Sequence, residues 1–442
     1  MSFPAYPEYK DSGVAWLGEV PRHWTIVRSR RLFLQVREPR QENDEQLSAT
    51  QKMGVIPQEL FMDQEGQKLC LALKGIENFK HVSVNDFVIS LRSFQGGIEW
   101  SQYVGCVSPA YTVLRPTRNV TPAFWAYLFK SDSFISSLQS VTDGIRDGKN
   151  ISYEQFGLLD IPLPSISEQS TIAAFLDHET DKIDALIAEQ EKLIELLKEK
   201  RLAVISHAVT RGLDPTVTMK DSGVEWLGQA PEHWKVGPVK QIIKLATSGP
   251  RGWADLIIDE GALFFQSQNI GYLMDVVVEN SQSITPPQNS ESMRARLWAD
   301  DVVVCITGGR TGAVAHIPQD IGEAYINQHV CLLRPNSSVC GRYLAYCLFS
   351  FGSQQQLVAA MYGLKQGLGL GQVQAVAVAS PHLEEQIKIV DFLDHELAMF
   401  DGLFTESQNA ITLLKERRSA LISAAVTGKI DVRGYAPQQE AV

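Results

Sequence analysis

The chain has 442 residues, enough for about two to four domains that each bury a core. Its composition, 44% hydrophobic and 21% charged, is that of an ordinary globular protein, and no apolar run approaches the roughly 18 residues that span a bilayer. The net charge of −11 argues against a chain that holds nucleic acid by bulk charge alone; such a role needs a local basic face or a basic partner.

The start, Met1-Ser2-Phe3-Pro4-Ala5-Tyr6, has neither the basic nor the apolar region of a signal peptide, so no export and a cytoplasmic site are expected. Next comes Lys10-Asp11-Ser12-Gly13-Val14-Ala15-Trp16-Leu17-Gly18, with Pro21 and His23-Trp24. Residues 25–164 read as mixed α and β. Phe87-Val88-Ile89-Ser90 and Tyr111-Thr112-Val113-Leu114 are strand-like, and Pro122–Leu138 reads as helix. The prolines of Ile161-Pro162-Leu163-Pro164 stop regular structure, and Ser165 or Ser167 is placed to cap a helix from about Glu168 to Thr210. Leu176, Ile183, Leu197 and Val204, with Leu186 and Leu193 between, form a gapped a/d seam interrupted by Gln190.

The opening segment then returns 210 residues later as Lys220-Asp221-Ser222-Gly223-Val224-Glu225-Trp226-Leu227-Gly228, with Pro231 and His233-Trp234. Residues 235–380 are again globular, with strand-like Val302-Val303-Val304-Cys305-Ile306 and His329-Val330-Cys331-Leu332-Leu333. A second helix is expected from about Glu384 to Thr427, with Leu393, Phe400, Leu403, Leu414 and Leu421 on its seam. Phe175-Leu176-Asp177-His178-Glu179 returns as Phe392-Leu393-Asp394-His395-Glu396, 217 residues on. The chain is therefore two diverged half-copies related by a pseudo-twofold, each a globular part followed by a long helix. The seams are narrow enough that the two helices are expected to pack on each other; if antiparallel, they put the globular parts at opposite ends of a rod. The helical regions 165–214 and 383–442 each carry 6 basic against 10 acidic residues, which leaves the globular parts near neutral.

Catalytic signatures are sparse. The six cysteines form no C-x-x-C and read as reduced core thiols. No histidine pair has metal spacing, so no metal and no cofactor is expected. Gly308-Gly309-Arg310-Thr311-Gly312 is not a P-loop and Gly367-Leu368-Gly369-Leu370-Gly371 is not a dinucleotide fingerprint; both read as turns. Ser108-Pro109-Ala110-Tyr111 resembles the target loop of amino-methyltransferases but lacks its second proline and an accompanying cofactor loop.

Loops at strand ends are richer in recognition chemistry. Arg92, Ser93 and Gln95 follow one strand; Arg251 and Trp253 follow Ser248-Gly249-Pro250; Gln268 and Asn269 follow Phe264-Phe265; Arg310 and Thr311 follow the paired glycines; Gln328 and His329 precede a strand. Arg, Asn and Gln pair with base edges, and glycine lets backbone approach phosphate. Gly144-Ile145-Arg146-Asp147-Gly148, followed by Lys149, faces Gly363-Leu364-Lys365-Gln366-Gly367 in the second half.

The duplicated K-D-S-G-V-x-W-L-G-x-x-P-x-H-W segment and the duplicated E-Q, F-L-D-H-E helix start resemble the specificity subunits of type I restriction–modification systems over nearly the whole length. The resemblance implies an α+β fold. Two mixed α/β target-recognition domains, residues 1–164 and 214–381, are separated by two long antiparallel coiled-coil helices, in 165–213 and 382–442. It implies a chain without catalytic residues that reads a bipartite duplex DNA site, one domain per half-site. Two methyltransferase subunits and the restriction subunits are its partners, and there is no membrane role. Its expected DNA contacts are Arg92, Ser93, Gln95, Tyr111, Arg146, Lys149, Arg251, Trp253, Gln268, Asn269, Arg310, Thr311, Gln328, His329 and Lys365. Two other readings stay open on the residues: an adenine methyltransferase acting through Tyr111, and a coiled-coil scaffold that does not read DNA.

Overall fold

The computed structural model describes residues 3–51, 53–65, 75–90, 97–140, 151–361 and 367–435. The chain divides into two compact units, one of Met1–Gln190 with Asn409–Val442 and one of Glu191–Gln408. Each is built on an antiparallel four-stranded sheet.

In the first unit the strand order is Phe33–Val36, Thr112–Pro116, Phe87–Ile89, Ile98–Trp100. Thr25–Arg28 pairs separately with Asp160–Leu163. The core is aromatic: the Phe33 ring lies 5.2–6.0 Å from those of Phe87, Trp125, Phe129 and Phe156. The single helix expected over Pro122–Leu138 is two, Pro122–Lys130 and Asp132–Ser140. Ser131 breaks it in an extended conformation, its hydroxyl donating to the Leu128 carbonyl at 2.7 Å. Short hydroxyl side chains compete with the helical ladder in this way. The break brings the rings of Phe129 and Phe134 to 5.0 Å.

In the second unit the order is Ile243–Ser248, Val330–Pro335, Val302–Cys305, Val314–His316. Alternate side chains of a strand face opposite sides. Val302 and Val304 accordingly join Tyr343, Leu344 and Cys347 of helix Gly341–Phe349, whereas Val303 and Cys305 meet Phe264, Phe265 and Ile326 of a second sheet. Both faces are covered, which is why this strand is apolar throughout. The second sheet runs Ile257–Ile258, Gln282–Ile284, Ala262–Phe265, Ala324–Ile326, its last pair parallel.

The first long helix spans Ile166–Arg211 and the second Leu383–Val426. Ser165 caps the first, its hydroxyl accepting from the Glu168 N–H at 3.2 Å. Within the first unit, Ile172, Phe175 and Leu176 share a core with Ile422, Ala425 and Val426, and Arg418 donates to both oxygens of Asp184 at 2.9 and 3.1 Å. Within the second, Ile205, Ala208 and Val209 share a core with Ile389, Leu393 and Leu397, and Arg201 donates to Asp401 at 2.5 Å. Of the seam residues expected, Leu176, Ile183, Leu197 and Leu393 are buried, whereas Leu186, Leu193 and Leu403 are exposed. After Ile183 the buried stripe resumes at Ile194 and continues through Leu197, Arg201, Ile205 and Ala208.

The repeated P-x-H-W segment ties these helices into each unit. His23 Nε2 lies 2.9 Å from Glu168 at the start of the first helix, and Tyr6 donates to the same carboxylate at 2.8 Å. His233 Nε2 lies 2.9 Å from Glu385 of the second helix, which also accepts from Trp234 Nε1 at 3.0 Å. The glutamine after each glutamate is fully buried. Gln169 accepts from Thr121 N and Trp125 Nε1 at 2.9 and 3.0 Å; Gln386 accepts from Cys340 N at 3.0 Å and donates to the Pro381 carbonyl at 2.9 Å.

Candidate functional site

Strand register decides which loops meet. In the second unit Ser248 pairs with Cys331 and Cys305 with Val330. The chain leaving Ile243–Ser248, the chain leaving Val302–Cys305 and the chain entering Val330–Pro335 therefore emerge at one end of the sheet. Phe265 pairs in parallel with Ile326, so the loops after those two strands emerge together as well. Backbone bonds join the two sets. Asn327 N donates to Phe265 O at 3.0 Å, Gly249 N to Asn327 O at 3.1 Å, and Ile306 N to His329 O at 2.9 Å. Gly249 is required here, because a Cβ would sit 2.0 Å from the Ile326 carbonyl oxygen.

This end gathers Arg251, Gln268, Arg310, Thr311, Gln328 and His329 from four segments. Arg251 is exposed, and among the described residues no hydrogen bond or ion pair holds it. Gln268 and His329 are also exposed. The His329 ring contacts Thr307 Oγ1 through Nδ1 and lies 3.1 Å from Gln328 Nε2. Thr311 donates its hydroxyl to Gly308 O at 2.7 Å, closing a turn in which Gly308 has φ +103°. Arg310 Nη2 donates to Gly271 O at 2.9 Å, and its guanidinium lies 4.3 Å from the centre of the Tyr272 ring. The arrangement offers hydrogen-bond donors and cations on a scaffold of strand ends. Among the described residues no group of three His, Cys, Asp or Glu is placed to hold a metal ion.

Two expected contacts are committed inside the fold. Trp253 is buried, its ring 6.0 Å from Tyr325, because Gly252 at φ +81° turns the chain inward. Asn269 is 1% exposed: its Oδ1 accepts from Gln266 N at 2.7 Å, and its Nδ2 donates to Val277 O and Ser281 Oγ at 2.8 and 2.6 Å. Neither side chain is free to meet a base. The Gly367–Gly371 run is a turn only in part, since Leu370–Ala375 is helical.

The first unit has the same layout. Val36 pairs with Val113 and Thr112 with Ile89, so Tyr111 lies at the same sheet end as Ser90, whose N–H donates to Gly97 O at 2.9 Å. The Tyr111 ring packs on a core with Val36 and Ala49, and its carbonyl accepts from Lys80 Nζ at 2.5 Å. Burial and the nearby Arg37 lower the Lys80 ammonium below its usual range. Tyr111 is half-buried at the edge of this core. Arg92, Ser93, Gln95, Arg146, Lys149 and Lys365 lie outside the described residues.

Sequence reasoning missed Tyr272 and Thr307. A single exposed aromatic carries no periodic signal, and only the fold brings it under Arg310.

Residues 231–412 match the model of the type I restriction modification DNA specificity domain. The chain is 23% identical over 337 residues to the type I restriction enzyme StySPI specificity subunit of Salmonella potsdam, covering 74% of this chain and 70% of that one. It is 23% identical over 344 residues to the EcoKI specificity subunit of Escherichia coli K12, covering 75% and 70%. A chain solved in a study of complex assembly and conformational transition of the type I R-M system superposes with a TM-score of 0.69 at 16% identity, covering 92% of this chain and 98% of that chain. Among the described residues no helix is long and apolar enough to cross a membrane.

Proposed function

We propose that the chain is a type I restriction–modification specificity subunit, as its matching domain model and its curated relatives support, and that it serves as the non-catalytic, cytoplasmic DNA-reading subunit of such a complex. Residues 1–164 and 214–381 each read one half of a split duplex sequence. The helices of 165–213 and 382–442 pack antiparallel as a coiled coil, set the gap between the halves, and carry two methyltransferase subunits and the restriction subunits. The observation that carries the reading is the convergence of Arg251, Gln268, Arg310, Gln328 and His329 at one end of the second unit's sheets. Lone polar loops are commonplace, but four polar segments brought together by strand register make a surface with base-reading chemistry. The apolar cores and paired charges that link the long helices within each unit support the ruler.

The test is binding of the chain, with its methyltransferase partner, to a randomised duplex library, followed by sequencing of what is retained. A two-part sequence with a fixed gap is expected, with affinity falling steeply as salt rises. Uniform retention of all sequences at every salt concentration rejects the proposal. Inserting four residues, about one turn, between 184 and 201 of one helix and between 401 and 418 of the other should change the gap and keep both half-sequences.

A further inference from the structure

We propose that Arg310, held on the ring of Tyr272, reads a guanine in the half-site that the second unit contacts; the inference rests on the DNA-reading function above and assigns its chemistry to one side chain.

The backbone under Arg310 is fixed. Its hairpin joins Val302–Cys305 to Val314–His316 and is closed by Gly312 N to Cys305 O and Cys305 N to Ala313 O, both 2.8 Å. Gln354 Nε2 holds its returning arm through Gly312 O at 3.0 Å. The guanidinium is held as well, stacked 4.3 Å from the Tyr272 ring centre and bonded at 2.9 Å to the carbonyl of Gly271. Gly271 is itself pinned: its N–H donates to Asp275 O at 2.8 Å, and a Cβ there would lie 2.1 Å from an Asp275 carboxylate oxygen. Tyr272 is 82% exposed, so its ring adds little to the core, and the contact the structure gives it is with Arg310.

Among the described residues no carboxylate pairs with Arg310, and one of its donors is committed to Gly271. The other guanidinium donors stay available in a plane set by the ring. A long cationic side chain loses rotamer freedom on binding; Arg310 has lost part of it on folding, which suits it to a geometry-sensitive contact. Guanine presents two adjacent acceptors, O6 and N7, that match the arginine fork, whereas adenine sets a donor beside N7. Arg251 on the same surface is exposed and unheld, which suits a phosphate, where charge matters and direction matters less.

The experiment repeats the library selection with the full chain and its methyltransferase partner, comparing wild type with Arg310→Ala, Arg310→Lys, Tyr272→Ala and Arg251→Ala. Thermal melting of each variant confirms that the fold is retained. Arg310→Ala should leave one guanine position indifferent, a loss of roughly 10- to 100-fold in discrimination there, with the other positions unchanged. Arg310→Lys should recover affinity without recovering that preference. Tyr272→Ala should weaken the same position, and Arg251→Ala should lower affinity evenly and flatten the salt dependence. If wild type selects a two-part sequence and Arg310→Ala selects it with equal strength at every position, or loses affinity evenly, the assignment is overturned while the DNA-reading proposal stands. A wild type with no preference removes both.

Discussion

Arg334 closes its guanidinium fork on Asp301, Nε to Oδ1 at 2.8 Å and Nη2 to Oδ2 at 2.7 Å. The first unit repeats the pair with Arg115 and Asp86, both bonds at 3.0 Å. Each aspartate follows a residue of positive φ, Asp300 at 69° and Asn85 at 73°, and each also accepts a backbone N–H, from Trp298 at 2.8 Å and Ser83 at 2.9 Å. The clamp joins a strand to the turn entering its neighbour and so sets the register that places the loops at the far end. The Asp301 side chain is 2% exposed. Arg334→Ala leaves that carboxylate buried and unpaired, at a cost of about 3–5 kcal/mol. Thermal unfolding should show a lowered melting transition. Replacing both residues together by apolar ones should recover most of the loss, because no buried charge then remains.

Gln169 gives a second stability prediction. Gln169→Leu keeps the size of the side chain but strands Thr121 N and the buried Trp125 Nε1, each unpaired donor costing about 1–3 kcal/mol. Denaturant melts followed by tryptophan fluorescence should show a lower midpoint. Gln169→Glu should not restore the midpoint, because Nε2 donates to Asn119 O at 3.2 Å and Pro164 O at 3.0 Å, and a buried carboxylate would face both carbonyls without a donor.

The repeated segments were legible because the residues that recur are those tying helix to globular part: Trp24 and Trp234, His23 and His233, Glu168 and Glu385, Gln169 and Gln386. Each makes contacts that few other side chains reproduce, so their spacing survives where the loops diverge. The long helices were legible from their caps and length. The seam was legible in part: Leu176, Ile183, Leu197 and Leu393 are buried as a seven-residue count expects, whereas Leu186, Leu193 and Leu403 fit the count but are exposed. The site was legible as a set of loops and not as a set of contacts. Trp253 and Asn269 sit beside arginine and glutamine in sequence, yet the left-handed Gly252 and the turn closed by Asn269 send both inward. The Arg310–Tyr272 stack joins residues 38 positions apart through a sheet whose topology no local pattern encodes.

Asp300 predicts a pH dependence. Burial raises its carboxyl, but the hydrogen bond from His316 at 3.0 Å and the Gly341 N–H at 3.0 Å outweigh burial and leave it below the usual carboxylate range. A folded value below the unfolded one, about 3.9, means that the stabilisation is fully present above that range and is lost as pH falls through the folded value. Melting temperature measured from pH 6 to pH 3 should therefore fall more steeply for wild type than for Asp300→Asn. Parallel curves would show that Asp300 titrates alike in both states.

The two glycines that end the long helices separate backbone strain from side-chain contact. Gly212 has φ +77° and Gly428 φ +74°, so alanine meets the same left-handed penalty at both, about 1–2 kcal/mol. Their surroundings differ. A Cβ on Gly212 would lie 3.2 Å from Trp234 Cζ2, which a small shift of the ring relieves. On Gly428 it would lie 2.4 Å from Pro21 Cδ and 2.7 Å from Pro21 Cγ, a ring held by its own strand. Gly428→Ala should therefore lower the melting temperature more than Gly212→Ala, and Gly428→Asn, although asparagine tolerates positive φ, should not rescue it. Equal losses at the two sites would mean that the backbone angle alone sets the cost, and that Pro21 moves aside freely where the second long helix meets the repeated segment.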